Sequence, residues 1–235
     1  MQLLVSVISP DEARLALAGG ADILDVKNPA EGSLGAQPPA VIRQIRYCAA
    51  RPHKVSVAIG DVPNLPGTVA LAALGAAVCG ADYVKVGLWG PRTEAEAVLL
   101  LRRVQETVAE YPGVAVIAAG YADAGRAGTL DPHLLPAVAH AAGVAGCLLD
   151  TAIKDGRRLF DFLAPETLRG LAEEAHAAGL LFALAGALRA EDLPLVRDLG
   201  ADVAGVRSAA CREGRRAGPL DAAQVRRLRE MLNAG

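Results

Sequence analysis

The sequence predicts an α/β fold, a single (β/α)8 TIM barrel spanning residues 1–235. Three observations carry this prediction. Eight short segments rich in Val, Ile and Leu recur at fairly even spacing without strict polar alternation, as expected of parallel strands covered on both faces. Segments with helix start and stop signals lie between them. The 235 residues contain no linker or low-complexity tract that would divide them, and eight β-α units in this length favour a closed barrel. An open doubly wound sheet is the structural alternative. No GxGxxG follows the first strand, which weakens a dinucleotide-binding version of it.

The elements follow in order. "QLLVSVIS" (2–9) is the first strand. "PDEARLALAGG" (10–20) opens with Pro and acids and closes with Gly, the polarity of a helix. "ADILDVK" (21–27), "KVSVAIGD" (54–61) and "ADYVKVGL" (81–88) are strands two to four. "TEAEAVLLLRRVQETVAEYP" (93–112) begins a helix with a capping box, Thr93 and Glu96. "VAVIAAGYA" (114–122) and "VAGCLLDTA" (144–152) are strands five and six, and "PETLRGLAEEAHAAG" (165–179) is a helix ending at Gly179. "LLFALAGAL" (180–188) and "ADVAGVRSA" (201–209) complete the strands, and "DAAQVRRLREML" (221–232) is the last helix. The phrase "GGAD", "CGAD" or "LGAD" precedes strands two, four and eight, marking a helix C-cap that feeds a strand.

Composition narrows the function classes. A net charge of -2 and a pI near 6.1 give no sign of a nucleic-acid partner. No apolar run approaches the length of a membrane span, and "MQLLVSVISPDEA" lacks the basic region of a signal peptide. Cys48, Cys79, Cys147 and Cys211 are far apart and form no CxxC pair, so they read as reduced residues of a cytoplasmic protein. His53, His133, His140 and His176 have no ligand spacing; surface or packing roles are expected, with no metal and no cofactor. A homo-oligomer is compatible with all of this, and the sequence does not fix the oligomeric state.

The basic residues carry the functional signal. Only four of the 24 are lysines: Lys27, Lys54, Lys85 and Lys154. An amine can lose its proton and form a Schiff base, which a guanidinium does not readily do. In a TIM barrel the site lies at the C-terminal strand ends. Asp25 and Lys27 close strand two, Lys85 lies in strand four, and Asp150 closes strand six with Lys154 just beyond. These are all even-numbered strands, whose inward side chains share interior layers. Asp25 and Lys27 are two apart and share a face, leaving Leu24 and Val26 to the helices. An ion-pair network filling the barrel end would also explain any single pair. Three of the four lysines converging with two aspartates make the catalytic reading the stronger one, because crowded ammonium groups lower one another's pKa.

The loops after strands seven and eight are the usual phosphate site of such barrels. Gly186 would let backbone N–H groups approach an anion, with Arg207 and Ser208 as contacts. A turn glycine and a surface arginine are the bland alternative. "EGSLGA" (31–36) reads as a loop over the site or a simple turn, and Trp89 as a pocket wall or a helix-layer residue. "CREGRR" (211–216) reads as a solvated loop, which could also offer a second phosphate Arg215 or Arg216.

At "DVKNPAEGSLGA", "DYVKVGL" and "LLDTAIKDG" the sequence resembles the (5-formylfuran-3-yl)methyl phosphate synthase family, over essentially its whole length. The resemblance implies a TIM-barrel lyase that joins two molecules of glyceraldehyde 3-phosphate with loss of one phosphate and two waters. It makes the furan part of methanofuran, a coenzyme of one-carbon metabolism. It places the family's Schiff-base lysine on Lys27, its proton-transferring lysine on Lys85, and the assisting residues on Asp25, Asp150 and Lys154. Two alternatives remain from the residues themselves: a class I aldolase of simple sugar phosphates, and a non-catalytic phospho-ligand barrel.

Overall fold

The structure, a computed structural model, describes residues 1–233. The elements run β1 (Gln2–Val7), α1 (Pro10–Ala18), β2 (Ile23–Val26), α2 (Pro39–Cys48), β3 (Lys54–Asp61), α3 (Pro66–Val78), β4 (Tyr83–Gly87) and α4 (Glu94–Val108). They continue with β5 (Ala115–Tyr121), the one-turn α5 (Ala124–Ala127), α6 (Leu135–Ala142), β6 (Gly146–Asp150), α7 (Pro165–Ala177), β7 (Leu181–Leu184), α8 (Leu193–Asp198), β8 (Val203–Val206) and α9 (Ala222–Asn233). All eight strands pair in parallel, each with its neighbour, and β8 returns to β1. The barrel is closed, which excludes the open sheet.

Several strands are shorter than their apolar segments because the chain turns away at the mouth. The eighth stops at Val206, and Ser208–Ala210 forms a 3-10 turn. The helix signals are realised in their side chains. Ser9 caps α1 by accepting from the Glu12 N–H, and Thr93 and Glu96 cap α4 reciprocally.

The recurring "GAD" phrase has a physical role. Gly20, Gly80 and Gly200 each adopt a positive φ near +90°, which glycine tolerates at a helix end. The following aspartates then reach sideways to the neighbouring strand. Asp22 accepts from the Leu3 N–H at 2.7 Å, Asp82 from Val55 at 2.8 Å and Asp202 from Phe182 at 2.8 Å. Each aspartate also holds a basic group, with Arg229 on Asp22, Arg46 on Asp82 and His176 on Asp202. Lys54 joins Asp82 at 3.5 Å. The fourth lysine therefore belongs to the clamp at the strand starts, away from the mouth.

Side-chain alternation divides the apolar residues into two layers. Leu24, Val26, Val84 and Val86 face the helices. Leu4, Ile23, Ile117, Leu148 and Val203 face inward and floor the barrel. Above that floor the interior turns small, with Ala58, Ala119, Ala185 and Gly205, and space opens at the C-terminal end.

Two substitutions test this reading by urea denaturation. Asp82→Ala removes the acceptor for the Val55 N–H and leaves Arg46 without its carboxylate, so it should cost about 1–3 kcal/mol. Gly75 lies inside α3 with open space where a Cβ would sit, so Gly75→Ala should stabilise by roughly 0.5–1 kcal/mol. An unchanged midpoint for Asp82→Ala would remove the clamp from the account.

Candidate active site

Asp25, Lys27, Lys85 and Asp150 come from β2, β4 and β6 or the residue just beyond, Lys154 follows β6, and the barrel joins these five into one chain of ion pairs. Lys85 Nζ donates to Asp25 Oδ1 at 2.6 Å, and Ser6 Oγ donates to Asp25 Oδ2 at 3.0 Å. Lys27 Nζ lies 4.0 Å from Asp25 Oδ2 and 3.9 Å from Asp150 Oδ2. Lys154 Nζ donates to Asp150 Oδ1 at 2.5 Å and to Thr151 Oγ1 at 3.1 Å. The order is Lys85, Asp25, Lys27, Asp150, Lys154. Lys27 sits at the centre, the least tightly held of the three amines. Asp25, Lys27, Lys85 and Asp150 are buried.

Burial is the largest influence on Lys27 and favours the neutral amine. Asp150 and Asp25 oppose it, Lys85 and Lys154 reinforce it, and the pKa is lowered to about 8. Burial alone would raise both carboxyls, but the cations outweigh it. Lys85 and Lys27 hold Asp25 below the usual carboxylate range, and Lys154 and Lys27 hold Asp150 well below it. Lys154 is lowered by burial against the pull of Asp150. The arrangement keeps two carboxylates ionised and makes the central amine available near neutral pH.

The "EGSLGA" segment is a pinned strap. Ser33 Oγ donates to the Thr151 carbonyl at 2.8 Å, linking the loop after β2 to the loop after β6. The Ser33 and Leu34 N–H groups both donate to Asp61 Oδ2, at 2.8 and 3.3 Å. The buried Tyr121 hydroxyl donates to the other Asp61 oxygen. Burial and Asp61 push that hydroxyl far above its usual pKa, so it remains a donor. Leu34 is wholly buried under the strap beside Tyr121, Ala58 and Ala119. Trp89 packs edge-on to Tyr121 at 5.9 Å and walls this filled half of the mouth. Asp123 accepts from the Ala152 and Ile153 N–H groups at 2.6 and 3.0 Å, fixing the segment that carries Lys154.

With the β3–β5 side filled, a cavity of ≈ 240 Å³ opens over the remaining strands. Lys27, Lys85, Asp150 and Lys154 line it together with Gly186, Ser208 and Arg216. Gly186 has φ +99° and sits tight against Thr151 and Leu159, so a side chain there would be both strained and crowded. Among the described residues, the N–H groups of Gly186, Ala187 and Ser208 are taken by neither the barrel ladder nor a turn.

Arg207 reaches the cavity wall, but its guanidinium is fully engaged. Its N–H groups go to the Glu12 carboxylate and to the carbonyls of Ser6, Arg216 and Gly218. The expected phosphate contact from this side chain gives way to a bracing role, since no donor is left for an anion. Of Arg215 and Arg216, the second lines the cavity, whereas Arg215 pairs with Glu213 in the exposed loop.

Ser6, Glu12, Asp61, Tyr121 and Asp123 escaped the sequence reading. Asp61 closes its strand, and Asp123 follows closely on the next odd strand, as Asp25 and Asp150 do on even ones, so the strand-end signal was present. Among the described residues no group of three or more His, Cys, Asp or Glu could hold a metal ion, and no helix is long and apolar enough to cross a membrane.

A closed (β/α)8 barrel with three amines threaded between two carboxylates at its mouth, beside free amides after β7 and β8, is the architecture of a TIM-barrel enzyme. The chain belongs to the 4-HFC-P synthase family, whose model matches residues 3–229. It is 52% identical over 233 residues to the (5-formylfuran-3-yl)methyl phosphate synthase of Methanopyrus kandleri, covering 98% of each chain. It is 48% identical over 235 residues to that of Methanothermobacter thermautotrophicus, covering 100% of each. In fold it is similar to 3-hexulose-6-phosphate synthase from Salmonella typhimurium, with a TM-score of 0.68, 20% identity and 99% of each chain covered. Phosphoribosyl anthranilate isomerase from Thermus thermophilus matches with a TM-score of 0.63, 19% identity and 100% and 99% of the two chains.

The lowered amine makes a pH prediction. Below pH 8 Lys27 is an ammonium, and above it a free base, so its reactivity is gained as pH rises through about 8. Competitive acetylation followed by peptide mass spectrometry should show that midpoint at Lys27. A midpoint near the ordinary lysine value of 10.5 would mean the site does not activate this amine.

Proposed function

We propose that this chain condenses two molecules of glyceraldehyde 3-phosphate into (5-formylfuran-3-yl)methyl phosphate, releasing one phosphate and two waters through a Schiff base on Lys27. The observation that carries this is the position of Lys27 Nζ, buried and about 4 Å from each of two carboxylates, with its pKa lowered to about 8. The name of the relatives suggests the product, and the geometry supports the amine chemistry.

Lys27 attacks the carbonyl of one triose phosphate, and water leaves as the imine forms. The resulting iminium acidifies the adjacent carbon. Lys85, hydrogen-bonded to Asp25 at 2.6 Å, transfers that proton, with Asp25 as its relay partner. The enamine joins the second triose. Lys154, on Asp150, is placed to deliver a proton to a departing oxygen. Phosphate leaves, hydrolysis of the imine takes back the water released when it formed and frees the amine, and cyclisation with loss of two waters gives the aromatic ring. The amides of Gly186, Ala187 and Ser208 seat one substrate phosphate. The reaction is that of a lyase serving the furan part of a methanofuran-type coenzyme.

Purified protein incubated with glyceraldehyde 3-phosphate should gain furan absorbance and a product of the expected mass. Lys27→Arg keeps the charge but cannot form an imine, so it should lose turnover and, under borohydride, gain no triose-phosphate adduct. Lys85→Arg should also lose turnover yet still trap the adduct, because its defect falls after imine formation. A trapped adduct on Lys27→Arg, or near wild-type turnover, would reduce Lys27 to an ion-pair partner.

A further inference from the structure

The cavity is strongly cationic although the chain as a whole carries a net charge of -2. Six basic side chains line it against two carboxylates. Four of the six have a carboxylate partner: Lys27, Lys85 and Lys154 with Asp25 or Asp150, and Arg207 with Glu12. Arg157 and Arg216 have none among the described residues. Arg157 is exposed at the rim, but Arg216 is half-buried. Asp150 and Asp61 act on Arg216 only from beyond ion-pair distance, and a half-buried guanidinium with no carboxylate in direct contact is poorly compensated, so its place at a cavity wall points to an anion.

Arg216 is also held in place from both ends. Its Nη2 donates to the Gly32 carbonyl at 2.9 Å and the Ser33 carbonyl at 3.4 Å, both in the strap. Its own carbonyl accepts from Arg207 Nε at 3.0 Å, and Arg207 is anchored by Glu12 at the start of α1. These contacts leave Nε and Nη1 of Arg216 without a protein acceptor among the described residues. The free Nε and Nη1 donors and the fixed positive charge suit a phosphate, which carries close to two negative charges at neutral pH.

We propose that Arg216, with Arg157 at the rim and Lys154 beside it, forms a second phosphate subsite in this cavity, taking the phosphate of the second triose. The proposal rests on the two-triose reaction above, in which two phosphates must be held at once and the β7–β8 amides seat only one. Arg207 and Glu12 are positioning residues for this subsite, acting through the backbone of Arg216.

Inorganic phosphate titrated into the full chain by calorimetry tests it directly. Wild type should bind two phosphates, and Arg216→Gln one, with the surviving affinity unchanged. Arg216→Lys, which keeps the charge and loses the guanidinium's separate donors to the strap and to the anion, should retain two with the second weakened. In steady-state assays Arg216→Gln should raise the KM for glyceraldehyde 3-phosphate roughly ten- to a hundredfold, while borohydride still traps the first triose on Lys27. A wild type that binds one phosphate, or an Arg216→Gln protein that keeps both sites, overturns the subsite. If Arg216→Gln fails to fold, Arg216→Lys decides: an unaltered second affinity overturns the proposal. If wild type binds two phosphates and Arg216→Gln one, but no furan forms, the subsite stands and the reaction assignment falls.

Discussion

Two buried carboxylates, Asp25 and Asp150, hold the mouth of this barrel together. Each is shared between two lysines, so none of the three amines has a carboxylate of its own. An isolated charge in such a place would neutralise itself or stay in water. The alternating chain resolves this unevenly. Lys85 and Lys154 make short hydrogen bonds, at 2.6 and 2.5 Å, whereas Lys27 keeps only long contacts to both sides. Desolvation is therefore least compensated at the central amine, and the same network makes this one reactive.

The rest of the mouth serves that arrangement. Asp61 and Tyr121 pin the strap that fills one half, and Ser33 ties the strap to Thr151 beside Asp150. What remains is a cavity bounded by the amines on one side and by the loops after β7 and β8 on the other. Closing the far half restricts the approach of bulk water to the amines, which strengthens every charge interaction inside. Arg207 and Glu12 extend the same logic outward. They tie the end of β8 to the start of α1 and fix the loop that presents Arg216.

Much of the fold was legible because it is local. Apolar runs of strand length, the Thr93–Glu96 capping box and the glycines before Asp22, Asp82 and Asp202 each act over a few residues. The charged strand ends were legible for a related reason: a Lys or Asp closing a buried strand conflicts with its surroundings unless a site explains it. Lys54 shows the limit of that argument. By type it resembled the other lysines, yet it begins its strand, and the beginning of a barrel strand lies at the opposite end from the chemistry.

By itself, the sequence determined the eight β-α units, the inward faces of Asp25 and Lys27, and the convergence of three lysines at one barrel end, because strand periodicity and parallel order dictate all three. Tertiary structure decided which charges pair. Glu12 and Arg207 are 195 residues apart, and nothing near either one shows that they meet. Their contact, together with three backbone carbonyls, removes Arg207 from any anion, while the absence of such a contact among the described residues leaves Arg216 available. Whether an arginine can bind a ligand depends on how many of its five donors are already taken, and only the folded chain settles that.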